Sequence, residues 1–173
     1  MRTLLYLSAA FMLIIGSAFT VVYNQSWQIG SGYQIKFATH KAEGNFKTFN
    51  GEVVFNESNL AASSFNVQVE VASINTGNGL KNNHAKSPLW FDAKKYPYIK
   101  FVSTAITKSA AGFEAKGDLE MHGVKKQVTL PFTFTNNTFK GTLSVNRKDY
   151  GIIGQGDVGN TVKLDIVVPV TKK

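Results

Sequence analysis

From residue 33 onward the chain alternates apolar and polar side chains, and it does so in eight separate segments. A repeat of two belongs to a strand with one buried face, because successive side chains of a strand point to opposite sides. An amphipathic helix needs apolar residues three and four apart, and no useful length of this chain supplies them. The segments cover residues 33–40, 46–56, 64–74, 98–107, 112–121, 126–135, 138–146 and 161–170. In the clearest, Phe113, Ala115, Gly117, Leu119 and Met121 alternate with Glu114, Lys116, Asp118 and Glu120. Most connections are short. Asn136 and Asn137 form a two-residue turn, and Asn tolerates the left-handed backbone that such turns require. Residues 109–112 and 122–125 are turns with Gly. Sequential hairpins between eight long strands predict an all-β fold, an eight-stranded antiparallel up-and-down barrel of lipocalin-like form. Closure removes the exposed edges of an open sheet. A two-sheet sandwich is the competing arrangement.

The stretch before the first strand has a different character. Arg2 is the only charged residue before Lys36, and residues 4–23 are nearly all apolar or small. One basic residue followed by an apolar run reads as a secretory signal, with small residues at 16–18 suited to cleavage after Ala18. The run is also long enough to cross a bilayer uncut. Residues 1–23 are therefore expected to be a signal peptide or an uncleaved membrane anchor, residues 24–32 a lead or tether, and residues 33–173 the barrel domain. Either fate of the N-terminus exports the rest of the chain, to the periplasm of a bacterial envelope. The absence of Cys excludes disulfides, thiol catalysis and Cys-ligated metal. The net charge of +8 favours acidic or anionic partners, membrane surfaces among them.

Two connections are long: residues 75–97, expected to carry a short helix or turn, and residues 147–160. Long loops in compact domains are often functional. Alternating strand directions bring both to one end of the barrel, together with His40, His84 and His122. The four connections at that end hold eight bases against four acids. The interior has two readings. An eight-stranded barrel either fills itself with side chains or holds one small ligand. The inward face carries Phe37, Phe55, Phe65, Val69, Phe101 and Phe113. It continues through Leu119, Met121, Phe132, Phe134, Phe139 and Leu143. Gly51, Ala115, Gly117 and Gly141 share it, which either lets strands coil or leaves space. If space remains, these residues line an apolar tunnel, Leu89, Trp90 and Phe91 form a lid, and Tyr150 lines the mouth or packs beneath it. His84, Lys86 and Arg147 are the candidates for a polar head group. Arg147 could clamp a phosphate or pair with Asp149, Asp92 or a loop carbonyl.

An outer-membrane barrel would alternate with its apolar face outward, but the charge crowded on the other face would then fill a narrow lumen. No nucleophile motif, paired loop carboxylates or phosphate-cradling loop marks a catalytic residue. The spacing of the three His does not enforce a metal site. The spread of basic residues over turns, without interleaved aromatics, argues against nucleic acid.

Three motifs then resemble a known family. Residues 73–78 (SINTGN) are followed by Leu89-Trp90-Phe91-Asp92 and by residues 96–101 (YPYIKF). Residues 117–126 read GDLEMHGVKK, and residues 146–151 read NRKDYG. In this order they resemble the YceI-like family of exported, lipocalin-like proteins over residues 27–170. The resemblance implies the eight-stranded barrel, a pocket for a polyisoprenoid or similar amphiphile such as an isoprenoid quinone or polyprenyl pyrophosphate, no required cofactor and no catalysis. The protein would be a monomer or homodimer. One departure stands out: the family's acidic residue before His84 is replaced within Lys81-Asn82-Asn83, making the site more basic.

Overall fold

The structure is a computed structural model that describes residues 24–154 and 156–173; the expected signal or anchor over residues 1–23 lies outside the described residues. The polypeptide closes into one antiparallel barrel of eight strands. The first three strands are each broken in two. β1 (Ser26–Ile29) and β2 (Gln34–Ala38) form the first, β3 (Glu43–Phe46) and β4 (Phe49–Val54) the second, β5 (Ser64–Glu70) and β6 (Ile74–Asn75) the third. Five unbroken strands follow: β7 (Tyr98–Ser109), β8 (Gly112–Met121), β9 (Val124–Thr135), β10 (Thr138–Asn146) and β11 (Thr161–Lys172). Each strand pairs with its neighbour in sequence, and β11 closes the ring by pairing with both β2 and β1.

The turns are those the residues dictate. Asn136 and Asn137 have φ of 50° and 53°, as a tight hairpin between β9 and β10 requires. His122 and Gly123 do the same between β8 and β9, with φ of 53° and 76°. The short helix α1 (Gly79–Lys86) lies in the first long loop, as expected. It starts because the Asn78 side chain accepts a hydrogen bond from the Lys81 amide, at 3.1 Å. Asn82 Oδ1 in turn accepts bonds from the Thr76 amide and hydroxyl, each 2.8 Å, which ties the helix to the end of β6.

One boundary is corrected. Residues 24–32 are not a tether: β1 lies within them and pairs with both β4 and β11. Trp27 is buried, packs edge-on against Phe134 at 5.2 Å, and donates from Nε1 to the Phe55 carbonyl at 2.9 Å. The segment is a short strand because Trp27 and Ile29 already alternate with Gln28, and the barrel needs it between β4 and β11.

The alternating apolar face points inward. On β8, Ala115, Leu119 and Met121 are buried while Lys116 is exposed, opposite to what an outer-membrane barrel needs. The breaks in the second and third strands shift the alternation by one residue. Phe49 and Val53 point inward below the break, and Phe46 above it; Val69 lies below, Ile74 above. Ser73 holds the two breaks together, its carbonyl accepting from the Lys47 amide and its hydroxyl from the Thr48 amide.

The interior has two unlike halves. Toward the short hairpins it is solid with aromatic rings. Phe55 sits at the centre, with ring centroids of Phe113, Phe134, Phe139 and Phe132 at 5.1, 5.2, 5.3 and 5.6 Å. Toward the long loops it is open.

Candidate functional site

The open half is a cavity of about 670 Å³. Its wall is built from the upper, inward-facing positions of the strands. Leu119 and Met121 come from β8, Phe101 from β7, Leu143 and Val145 from β10, Leu164 and Ile166 from β11, and Phe37 from β2. Alternate strand positions put these side chains on one face, so the apolar wall is a direct product of the period of two. Its mouth lies among the loops at residues 39–42, α1 and the segment after it, and residues 147–158.

Trp90 and Phe91 form part of that wall from above. The chain after α1 coils back on itself, with the amides of Trp90, Phe91 and Asp92 bonded to the carbonyls of Ser87, Ala85 and Ser87. This turns Phe91 against Phe46, ring centroids 6.5 Å apart. Trp90 lies against Gly154, where a Cβ would stand 2.6 Å from the indole; with φ of 52° there, only Gly suits both the backbone and the ring. The Gly154 amide also donates to the Leu89 carbonyl at 3.2 Å, which joins the two long loops. Leu89 itself is 60% exposed.

Arg147 is buried beneath this junction, only 6% exposed. Nε donates to the Gly159 carbonyl at 2.8 Å, and Nη1 donates to the carbonyls of Ile152, at 2.7 Å, and Ile153. The guanidinium carbon stands 5.2 Å from the Trp90 ring. Of the partners the sequence offered, Arg147 takes loop carbonyls; no carboxylate pairs with it among the described residues. Carbonyl dipoles shape the loop but leave the full positive charge in place. Around the mouth the wall also holds Lys41, Lys81 and His84, and no Asp or Glu among the described residues. Lys41 alone has an acidic partner, Asp157 at 2.8 Å.

Several sequence expectations fall elsewhere. Phe55, Phe65, Phe113, Phe132, Phe134 and Phe139 do not line the cavity; they pack on one another in the solid half. Alternation told inside from outside but not upper from lower. Tyr150 is buried and packs under the mouth, not on the wall. Its burial, and secondarily the Asp149 carboxylate, hold its phenol pKa above the ordinary value. Lys86 follows His84 on α1 but is absent from the wall, whereas Lys81 and Lys41 are on it. Lys100 is exposed between the inward-facing Ile99 and Phe101, its Nζ 5.9 Å from the exposed Tyr98 ring. Ile152, nearly fully buried beside Arg147, carried no strand periodicity that could have singled it out. His122 serves its turn: Nδ1 lies 3.2 Å from the Tyr150 carbonyl and its ring packs edge-on to Tyr96. Among the described residues no cluster of His, Asp and Glu converges as a metal site.

The glycines of the inward face are not space. A Cβ on Gly117 would stand 2.9 Å from the Phe101 ring and closer still to the Val102 carbonyl, beside the β-bulge where the β7–β8 register shifts. Strands approach closely and coil there.

Comparison with known proteins agrees with this geometry. A family model described as the YceI-like domain matches residues 22–170. A UPF0312 protein of Pseudomonas putida is 35% identical over 141 residues, covering 75% of this chain and 73% of that protein. The crystal structure of BcnA from Burkholderia cenocepacia superposes with a TM-score of 0.76 and 28% identity, over 83% of this chain and 99% of BcnA. A structure described as a polyisoprenoid binding domain from Saccharophagus degradans shares the fold, with a TM-score of 0.61, 14% identity and coverage of 87% and 99%.

Proposed function

The chain belongs to the YceI-like family, and on that premise we propose that it is an exported, non-catalytic protein that carries or sequesters a polyisoprenoid or similar amphiphile. The cavity is the observation that carries this reading. It is apolar along its wall, open at one end, and flanked at that end by bases, with no carboxylate on the wall among the described residues. An amphiphile is the ligand class with matching parts, a tail to desolvate and a polar head to leave at the mouth. The structural neighbour described as a polyisoprenoid binding domain supports the same class. An isoprenoid quinone and a polyprenyl pyrophosphate are the two head-group types to be tested. No cofactor is needed for binding of this kind.

The mouth also suits contact with a membrane. Leu80, Leu89 and Ile153 are 67%, 60% and 70% exposed, all in the loops at that end. Lys81, Lys86, Lys94 and Lys95 stand in the same long loop. Apolar side chains flanked by bases fit an anionic lipid surface, from which a lipid could enter the mouth without crossing water.

Native mass spectrometry with organic extraction, on protein purified from envelope fractions of its own host, tests the proposal. A co-purified prenyl lipid is the expected result. An empty protein that also refuses added prenyl lipids would overturn it.

A further inference from the structure

Building on that lipid-binding reading, we infer that the barrel wall has a side door: a lipid chain enters and leaves the cavity sideways, through a seam between β9 and β10.

The seam shows in the hydrogen-bond ladders. β8 and β9 pair at nine positions, from Phe113–Phe132 to Met121–Val124, and β10 and β11 at nine, from Thr138–Pro169 to Asn146–Thr161. Both ladders run to the rim of the mouth. β9 and β10 pair at four positions, from Thr138–Thr135 to Gly141–Phe132. No further pair joins them among the described residues, although β9 reaches back to Val124 and β10 on to Asn146. The ladder stops at the level of Phe132 and Phe139, where the packed rings end and the cavity begins. Above that level Leu130 on one lip, and Leu143 and Val145 on the other, belong to the cavity wall. The wall is therefore zipped beside the solid half and unzipped beside the hollow one.

Pro131 explains why the ladder stops. The two-residue turn at Asn136 and Asn137 makes Thr135–Thr138 a hydrogen-bonded pair, so every second residue of β9 from there turns its backbone groups toward β10. Those residues are Thr133, Pro131, Thr129 and Gln127. Pro131 is the first of them beyond the ladder, and it has no N–H to donate. In the continued register it faces Thr142, whose carbonyl would lose its donor. A Pro so placed marks a strand edge. Thr129, Gln127 and Ser144 also turn backbone groups to the seam, and polar groups without a ladder partner need water. The lips are thus wet at the backbone and apolar on the cavity side. A peptide strand added there would lose the same bond at Pro131, so the geometry favours the passage of an apolar chain. The seam continues into the mouth. A lipid can slide its head along the rim while the chain slips out along its length, with no need to be drawn end-on past Trp90 and Phe91. A stretch with so few cross-strand bonds also parts at low cost.

The chain has no Cys, so a pair introduced across the seam forms one defined cross-link. Thr129→Cys with Ser144→Cys uses two exposed positions that oppose each other in the continued register. If the lips stand too far apart for a disulfide, a short bis-maleimide bridges the same pair. The probe is cis-parinaric acid, followed by its fluorescence as it leaves the protein for phosphatidylglycerol vesicles. Closing the pair should slow release roughly tenfold and leave the equilibrium affinity within about twofold. Lys36→Cys with Asp165→Cys, partners on the continuous β2–β11 wall, should leave the rate unchanged when cross-linked. Pro131→Val, which supplies the missing amide, should slow release severalfold without any cross-link. Release that the closed pair leaves unchanged overturns the door, and the lipid-binding reading survives. Amide hydrogen exchange tests the seam without a ligand. Gln127, Thr129 and Ser144 should exchange roughly tenfold faster than Val128, Leu130 and Leu143, whose amides turn to β8 and β11. Equal protection overturns the seam itself. Refusal of cis-parinaric acid and of added prenyl lipids alike overturns the lipid-binding reading and the door with it, while the exchange pattern still decides the seam.

Discussion

Arg147 donates from Nε to the Gly159 carbonyl and from Nη1 to the carbonyls of Ile152 and Ile153, so one side chain fixes three points of the loop that frames the mouth. A Lys has no planar fork with which to do this. Hydrogen bonds to a charged group contribute about 1.5–3 kcal/mol each; with part recovered by the ammonium, Arg147→Lys should cost about 2–4 kcal/mol. A denaturant midpoint that does not move would show that these bonds are not what holds the loop. Tyr150 offers a second test, through pH. Burial keeps its phenol protonated in the folded chain above the ordinary value of about 10. The unfolded chain loses that proton first as pH rises, so the stabilisation is complete below about pH 10 and fades above it. The wild type should lose more stability than Tyr150→Phe between pH 9 and 11, a range bracketing the free phenol value of about 10, in unfolding curves measured side by side. A loop carbonyl was one of the partners the sequence allowed for Arg147, but nothing local chose it over Asp149 or Asp92. That choice depends on Trp90 and residues 152–159 arriving at the same place.

At the scale of elements, strand identity was legible because each face of a half-buried strand announces itself every second residue. The breaks within the first three strands were not. In the second and third strands the break moves the alternation by one residue and needs a partner to stabilise it, as Ser73 does for Lys47 and Thr48. β1 was missed for a related reason: four residues are too few to show a period. Trp27 makes that short strand matter. Trp27→Ala should cost about 3–5 kcal/mol, the range for deleting a large buried ring, and a loss under 1 kcal/mol by calorimetry or denaturant would mean that β1 is not part of the cooperative fold. Gly117→Ala should cost about 1–3 kcal/mol, because the new methyl meets the Phe101 ring and has nowhere to go. An unchanged stability there would return the position to the reading of spare room.

For the whole molecule, the decisive feature is that one continuous apolar face is solid at one end and hollow at the other. The two ends should answer opposite substitutions differently. Leu143→Trp, on the cavity wall, should remove lipid binding and cost about 1 kcal/mol or less, since the larger ring enters open space. Phe139→Trp, in the packed end, should cost about 1–3 kcal/mol by overpacking and leave lipid binding in place. Lipid binding and thermal unfolding of the two variants check both statements, and equal behaviour would mean that the interior is not divided. The sequence by itself determined the all-β class, the eight strands, the inward direction of the apolar face and the basic end, because periodicity, turn residues and charge are local properties of the chain. Only the tertiary structure decided which half of the barrel is filled, that residues 26–29 complete the wall, and that Arg147 takes loop carbonyls and has no acidic partner among the described residues. Each of these depends on which side chains from distant strands reach the same level of the barrel, and that is set by register and closure.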